Sequence, residues 1–172
     1  MRRLYLVAAL TWGLDLASKI WAVNNLSSRN PVEILGSFFQ LTLVRNPGAA
    51  FSFATGATVV LTGIAVAAVI VIVYYSSKIT SLGWATTLGL LLGGVLGNLT
   101  DRLFRSPGFF KGEVIDWLEI TNWPVFNLAD SAIVVAAFLA IVLTIRNVGP
   151  VDVARLFWSG KEWTRAADSG CA

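Results

Sequence analysis

Four stretches of the chain are apolar over a length that suits a membrane-crossing helix, which takes roughly 20 residues at ~1.5 Å rise each. They cover residues 4–23, 57–75, 83–99 and 128–145. The first carries Asp15 and Lys19, the second has no charge, the third is short and rich in glycine, and the fourth contains Asp130. Between the first two, Phe39, Leu41 and Leu43 alternate with Gln40 and Thr42 before Asn46-Pro47-Gly48, the signature of a strand running into a turn. Trp117-Leu118-Glu119-Ile120 is a candidate partner strand. The pattern predicts an all-α membrane protein of four transmembrane helices, with a small extracytoplasmic β-sheet and loop region at the membrane surface. Trp12, Trp21, Trp84, Trp117 and Trp123 are candidate interfacial anchors.

No repeat or low-complexity linker divides the chain. Residues 1–146 are expected to form the transmembrane domain and 147–172 a polar tail with scattered apolar residues. Gly89, Gly93 and Gly97 recur at four-residue spacing, as do Ala132, Ala136 and Ala140, and small residues so spaced let helices approach closely. Pro124 favours a helix start nearby, which puts Asp130 in the first turns of the fourth span.

Composition narrows the chemistry. Of 172 residues, 56% are hydrophobic and 13% charged, which is too apolar for an ordinary soluble domain. There is no histidine and one cysteine, Cys171, so Ser-His-Asp and Cys-His nucleophiles and His-built zinc sites are excluded. No metal and no cofactor are expected; carboxylates, hydroxyls, amides, Lys and Arg must carry any reaction. The net charge of +3 rests on few charges and bears on membrane orientation rather than on nucleic acid, which is not an expected partner. Arg2, Arg3, Lys78, Arg146, Arg155, Lys161 and Arg165 fall on one side of the four spans, against Arg29, Arg45, Arg102, Arg105 and Lys111 on the other. The first side is read as cytoplasmic, so both termini are cytoplasmic and the two long connections lie outside.

An ionisable residue within a span costs about 2.5–3.5 kcal/mol on insertion scales and calls for a partner or a purpose. Asp15 and Lys19, four residues apart, share a helix face and are expected to pair, with Lys19 near enough to the outer end to snorkel. At the end of the third span, Asn98, Asp101 and Arg102 fall at helical spacing, with Arg102 adjacent to favour an ionised Asp101 and placed to clamp a phosphate or carbonyl at the lipid interface. Asp116 and Asp130 sit in apolar company on either side of a loop. If their side chains meet, burial and mutual repulsion leave a pair holding one proton, the arrangement that activates water in aspartic proteases. Spacing alone does not choose among Asp101, Asp116 and Asp130, and a solvated loop acid with a helix N-terminal carboxylate explains the last two equally well.

Taken together, Asp15-Leu16-Ala17-Ser18-Lys19, Asn46-Pro47-Gly48-Ala49-Ala50-Phe51-Ser52, Gly97-Asn98-Leu99-Thr100-Asp101-Arg102, Val114-Ile115-Asp116 and Phe126-Asn127-Leu128-Ala129-Asp130 resemble the lipoprotein signal peptidases, over residues 4–146. The resemblance implies an aspartic endopeptidase of the bacterial cytoplasmic membrane, its active site near the outer face. Its substrate would be a prolipoprotein, cut just before a diacylglyceryl-modified cysteine. It implies that Asp116 and Asp130 are catalytic, that Asn46, Gly48, Asn98, Arg102 and Asn127 line or brace the substrate site, and that Asp15, Lys19 and Asp101 support it. Membrane lipid and a globomycin-type inhibitor are the other implied partners. Trp117 stands where the family has Phe, the interval from Asp116 to Asp130 is short for the family, and Cys171 is read as incidental. The rival readings are a small proton-coupled transporter, in which Asp15, Lys19 and Asp130 form a relay, and a structural membrane subunit.

Overall fold

In the computed structural model, residues 2–48 and 56–151 are described. The Ala49-to-Ser52 part of the second motif, the basic residues Arg155, Lys161 and Arg165, and Cys171 lie outside them. Four helices form, α1 (Arg2–Asn25), α2 (Gly56–Ser76), α3 (Leu82–Phe104) and α4 (Leu128–Ile145), together with strands β1 (Val32–Glu33), β2 (Phe39–Asn46) and β3 (Val114–Ile120). All four helices are long and apolar enough to cross a membrane. The chain is a multi-pass membrane protein with a small three-stranded sheet, as the hydropathy pattern predicts.

Helix α3 is the spine, and its glycines are why. A Cβ at Gly89 would stand 2.7 Å from the Leu4 carbonyl oxygen and one at Gly93 2.6 Å from that of Ala8, while at Gly97 it would meet the Asp15 carboxylate. The predicted glycine ridge therefore seats α1 backbone to backbone. On a different face, Gly94 does the same for α4, where a Cβ would come within 2.6 Å of the Ala129 carbonyl oxygen. Ala132 and Ala136 of α4 are buried. Helix α2, with most of its surface facing outward, packs chiefly on α3.

Two expectations need correction. The third span does not stop at residue 99 but continues as helix to Phe104, because its polar residues are satisfied by neighbouring elements rather than by water. Lys19 does not snorkel: it is fully buried, held inside by two carboxylates. Helix α4 begins at Leu128, where the fourth apolar stretch begins, with Asn127 as its N-cap and Asp130 in its first turn. The Asn127 side chain accepts from the Asp130 backbone N–H while the Asp130 side chain accepts from that of Asn127, a capping box that satisfies two of the helix's orphan donors.

The sheet runs β1-β2-β3, antiparallel throughout, and pairs Asn46 with Val114 and Phe39 with Ile120, with an irregularity between Leu41 and Val44. The two-residue β1 lies below what alternation can reveal. Trp21 and Trp123 are exposed, as anchors should be, but Trp117 is partly buried with its ring edge-on to Trp21 at 5.7 Å, which ties β3 to α1.

Candidate active site

The buried polar residues form two connected clusters where the ends of α1, α3 and α4 meet β2 and β3. The inner one centres on Lys19. Its ammonium lies 2.8 Å from Asp15 Oδ2 and 2.9 Å from Asp101 Oδ2, and it donates to Asn98 Oδ1 at 3.0 Å. Asp15 Oδ1 also accepts from the Ala129 backbone N–H at 2.9 Å, so α1 is fastened to the first turn of α4. Asp101 pairs as well with Arg105, one turn on, and accepts from the Ile115 backbone N–H of β3. Its cation partners are thus Lys19 and Arg105 rather than the adjacent Arg102 that the sequence suggested. Arg102 is partly buried and reaches back to the Asn98 carbonyl oxygen at 3.4 Å.

The outer cluster holds Asp116 and Asp130, and side-chain amides supply three of its four donors. Asn46 Nδ2 donates to Asp116 Oδ2 at 2.8 Å, and Asn127 Nδ2 to Asp116 Oδ1 at 2.6 Å. Asn98 Nδ2 donates to Asp130 Oδ1 at 2.7 Å, and the Asn127 backbone N–H to Asp130 Oδ2 at 3.3 Å. An amide turned end for end would present its oxygen to a carboxylate, so something must fix each one. In every case it is a donor on the oxygen end. The Gly48 backbone N–H holds Asn46 Oδ1 at 2.8 Å, Lys19 holds that of Asn98, and the Asp130 backbone N–H holds that of Asn127 at 2.9 Å. The turn that delivers the Gly48 N–H has φ +103°, a conformation open to glycine but strained for other residues.

The two acids differ in setting. Asp116, on β3 beside the fully buried Ile115, is 1% exposed, whereas Asp130 is partly open. Burial pushes the Asp116 carboxyl up to about 6, and the negative charge of Asp130 adds to the rise; the amide donors of Asn46 and Asn127 and the charge of Lys19 oppose it. A cleft of about 290 Å³ opens beside Asp130, lined by Trp123, Phe126, Ser131, Val134 and Val135.

The structure thus brings together every residue singled out from the sequence: Asp116 and Asp130 share Asn127, and Asn46, Gly48, Asn98 and Arg102 surround them. Asp15, Lys19 and Asp101 lie directly beneath. Sequence reasoning missed Arg105, although its four-residue spacing from Asp101 was a signal. It also missed the backbone donors of Ala129 and Ile115 and the cleft, for which no local spacing exists.

Fold and site together define a four-span membrane protein with an acid pair held where the helix ends meet an extramembrane sheet. The family described as signal peptidase (SPase) II matches residues 7–146. Lipoprotein signal peptidases of Streptomyces coelicolor and Rhodococcus jostii are 47% and 49% identical to the chain over 147 residues, 86% of this chain and 72% and 74% of theirs. That of Mycobacterium avium is 48% identical over 84% of this chain and 80% of its own. A bacterial membrane enzyme solved by the in meso method at 2.3 Å resolution superposes with a TM-score of 0.74 at 25% identity, covering 87% of this chain and 91% of that one. The chain belongs to the signal peptidase II family, and it is a membrane-embedded protease.

Proposed function

We propose that the protein is an aspartic endopeptidase of the bacterial cytoplasmic membrane that removes signal peptides from prolipoproteins, cutting before a diacylglyceryl-modified cysteine. The observation that carries this reading is the pair of carboxylates, Asp116 and Asp130, oriented by three pinned amides, with Asp130 lining a cleft beside α4. Charge balance supports a single shared proton. The connected polar cluster contains four carboxylates, Asp15, Asp101, Asp116 and Asp130, and three cations, Lys19, Arg102 and Arg105. It is neutral only when one carboxylate is protonated, and in a low-dielectric setting an uncompensated charge is costly.

Asp116, the more deeply buried acid, keeps that proton. Asp130 takes a proton from a water molecule as the water oxygen attacks the scissile carbonyl carbon, and Asp116 donates its proton to the carbonyl oxygen. Collapse of the tetrahedral intermediate breaks the C–N bond; Asp130 passes its proton to the leaving amine, and Asp116 recovers one from the intermediate's hydroxyl. The residues use only their own protons and one water, with no cofactor. Arg102 and the Gly48 backbone face the substrate, and a globomycin-type inhibitor is expected to occupy the same cleft. The excess of Lys and Arg near the chain ends and in the α2–α3 turn supports cytoplasmic termini and a site near the outer face.

The test is cleavage of a lipidated pro-substrate by the purified protein. Asp116→Asn and Asp130→Asn are each expected to lower turnover by roughly 10³-fold or more, the upper range of general acid–base contributions, while thermal unfolding remains cooperative. Retained cleavage in either variant overturns the assignment.

A further inference from the structure

Along β3, Asp116 stands between two cavities of different character. Toward Leu118, whose backbone bonds Phe126, lies the mostly apolar cleft beside Asp130. In the other direction, just before the strand begins, Glu113 forms a wall of a second cavity of about 180 Å³. Its remaining walls are Pro107 and Lys111 from the α3–β3 connection, Pro47 from the turn after β2, and Thr58 from the first turn of α2. Glu113 precedes Asp116 by three positions, about 10 Å at the rise of an extended strand, and Pro47 adjoins Asn46, whose amide holds Asp116. The walls are set by backbone contacts. Buried Thr58 donates its hydroxyl to the Pro47 carbonyl oxygen. The backbone N–H groups of Lys111, Gly112 and Glu113 donate to the carbonyl oxygens of Gly108, Arg102 and Ser106 at 2.9, 3.0 and 3.0 Å. A Cβ on Gly112 would collide with the Asp101 carbonyl oxygen, so this connection lies directly against α3. The Lys111 ammonium and the Glu113 carboxylate, by contrast, take part in no ion pair or side-chain hydrogen bond among the described residues.

We infer that this second cavity receives the polar segment of the substrate that follows the modified cysteine, and that Lys111 and Glu113 sense the charge of about the third residue after the cut. The inference rests on the substrate class proposed above. A signal segment is apolar and belongs in the bilayer, whereas the chain beyond the cysteine must leave it. A cavity that sets a cation and an anion at the extramembrane end of the bundle suits the departing part, because a polar side chain buried there finds partners for its own charge or dipole. With the scissile bond at the acid pair and ~3.3 Å per extended residue, three residues span the separation from Asp116 to Glu113. One charge of each sign leaves the unaltered cavity balanced between acidic and basic residues. Upsetting that balance creates a preference by repulsion as well as by attraction.

The experiment compares lipidated pro-peptides that differ only in the third residue after the cut, counting the cysteine as the first, which is Asp in one and Lys in the other. Glu113→Lys puts two cations on the walls and is expected to raise the ratio of kcat/KM for the Asp peptide over the Lys peptide by roughly fivefold, the scale of an exposed charge pair. Lys111→Glu should lower the ratio by a similar factor. Glu113→Gln and Lys111→Gln, which each remove one charge, should move it in the same two directions by less. The control is Glu33→Lys, which makes the same charge change on β1 opposite Gln40. Gln40 is six positions from Asn46 along β2, about 20 Å, well beyond the roughly 8 Å over which exposed charges act at physiological ionic strength. Ratios that fail to move in opposite directions in the Glu113 and Lys111 variants, or that move as far in Glu33→Lys, overturn the inference. Failure of the unaltered protein to cleave either peptide overturns the proposed function instead; cleavage of both with an unmoved ratio overturns the charge-sensing cavity alone.

Discussion

The two acid clusters of this molecule lie within a few side chains of each other and are held in opposite ways. Around Lys19 every carboxylate is paired with a cation: Asp15 and Asp101 share its ammonium, and Arg105 adds a second charge to Asp101. Around Asn127 the donors to Asp116 and Asp130 are neutral N–H groups. A carboxylate bonded to a buried cation is tied to that partner, because removing either one leaves the other's charge uncompensated. One held by amides is oriented without being committed to a charge. The first arrangement suits a fastening between helices and the second a group that must gain and lose a proton. Asn98 joins them, its oxygen on Lys19 and its nitrogen on Asp130.

The comparison can be broken most severely at its cation. Lys19→Met leaves Asp15 and Asp101 buried without their shared partner, and is expected to destabilise the protein by about 3–5 kcal/mol, seen as a large fall in Tm in detergent. Activity should fall with it, since the Asn98 oxygen then keeps only the Asn127 amide as its donor.

Next in size is the pH dependence expected of Asp116 in the amide-held cluster. Folding raises the Asp116 carboxyl from 3.8 to about 6. Below the lower value both states are protonated; between the two the folded state keeps a proton that the unfolded chain gives up. Stability therefore declines as pH rises through this window and is level above it, by on the order of 3 kcal/mol in total. Unfolding followed across that range should show the slope in the unaltered protein and a smaller one in Asp116→Asn. Turnover by the free enzyme should decline above about pH 6 as Asp116 gives up its proton.

A smaller effect is expected from the packing beneath both clusters. Gly97→Ala drives a methyl group into the Asp15 carboxylate and toward the Ala129 side chain, at an expected cost of roughly 1–3 kcal/mol, measurable as a reduced Tm. The mildest change sharpens the contrast within the acid pair itself. Asn46→Ala removes a donor that favours the ionised form of Asp116, so the alkaline limb of the pH–rate profile should move to higher pH while the protein remains folded.

Much of this was legible in the chain because the membrane makes polarity conspicuous. Asp15, Lys19 and Asp130 stand out against apolar runs, the spacing of Gly89, Gly93 and Gly97 marks a helix contact, and the alternation from Phe39 to Leu43 marks β2. The helix ends were less visible. Hydropathy falls at Thr100, yet α3 continues to Phe104 because Asp101 finds Lys19 across the bundle, a partner 82 positions away that no local pattern encodes. Lys19 pairs with Asp15 as its spacing predicts, but it does not snorkel, because the second acid that keeps it inside comes from another helix. The acids were picked out as a pair only through the family resemblance. Their amide supports were legible as residues but not as an orienting device, since that depends on which end of each side chain is pinned.

Asn127 carries one further consequence. The side chain that begins α4 is also the one that grips Asp116, and its backbone N–H grips Asp130. Unwinding of that first turn in the bilayer would take one donor from each acid at once, leaving Asp116 to Asn46 and Asp130 to Asn98, so fraying of the fourth helix and loosening of the paired acids go together. One residue at a helix end thereby couples the integrity of the fourth helix to the geometry of the acids.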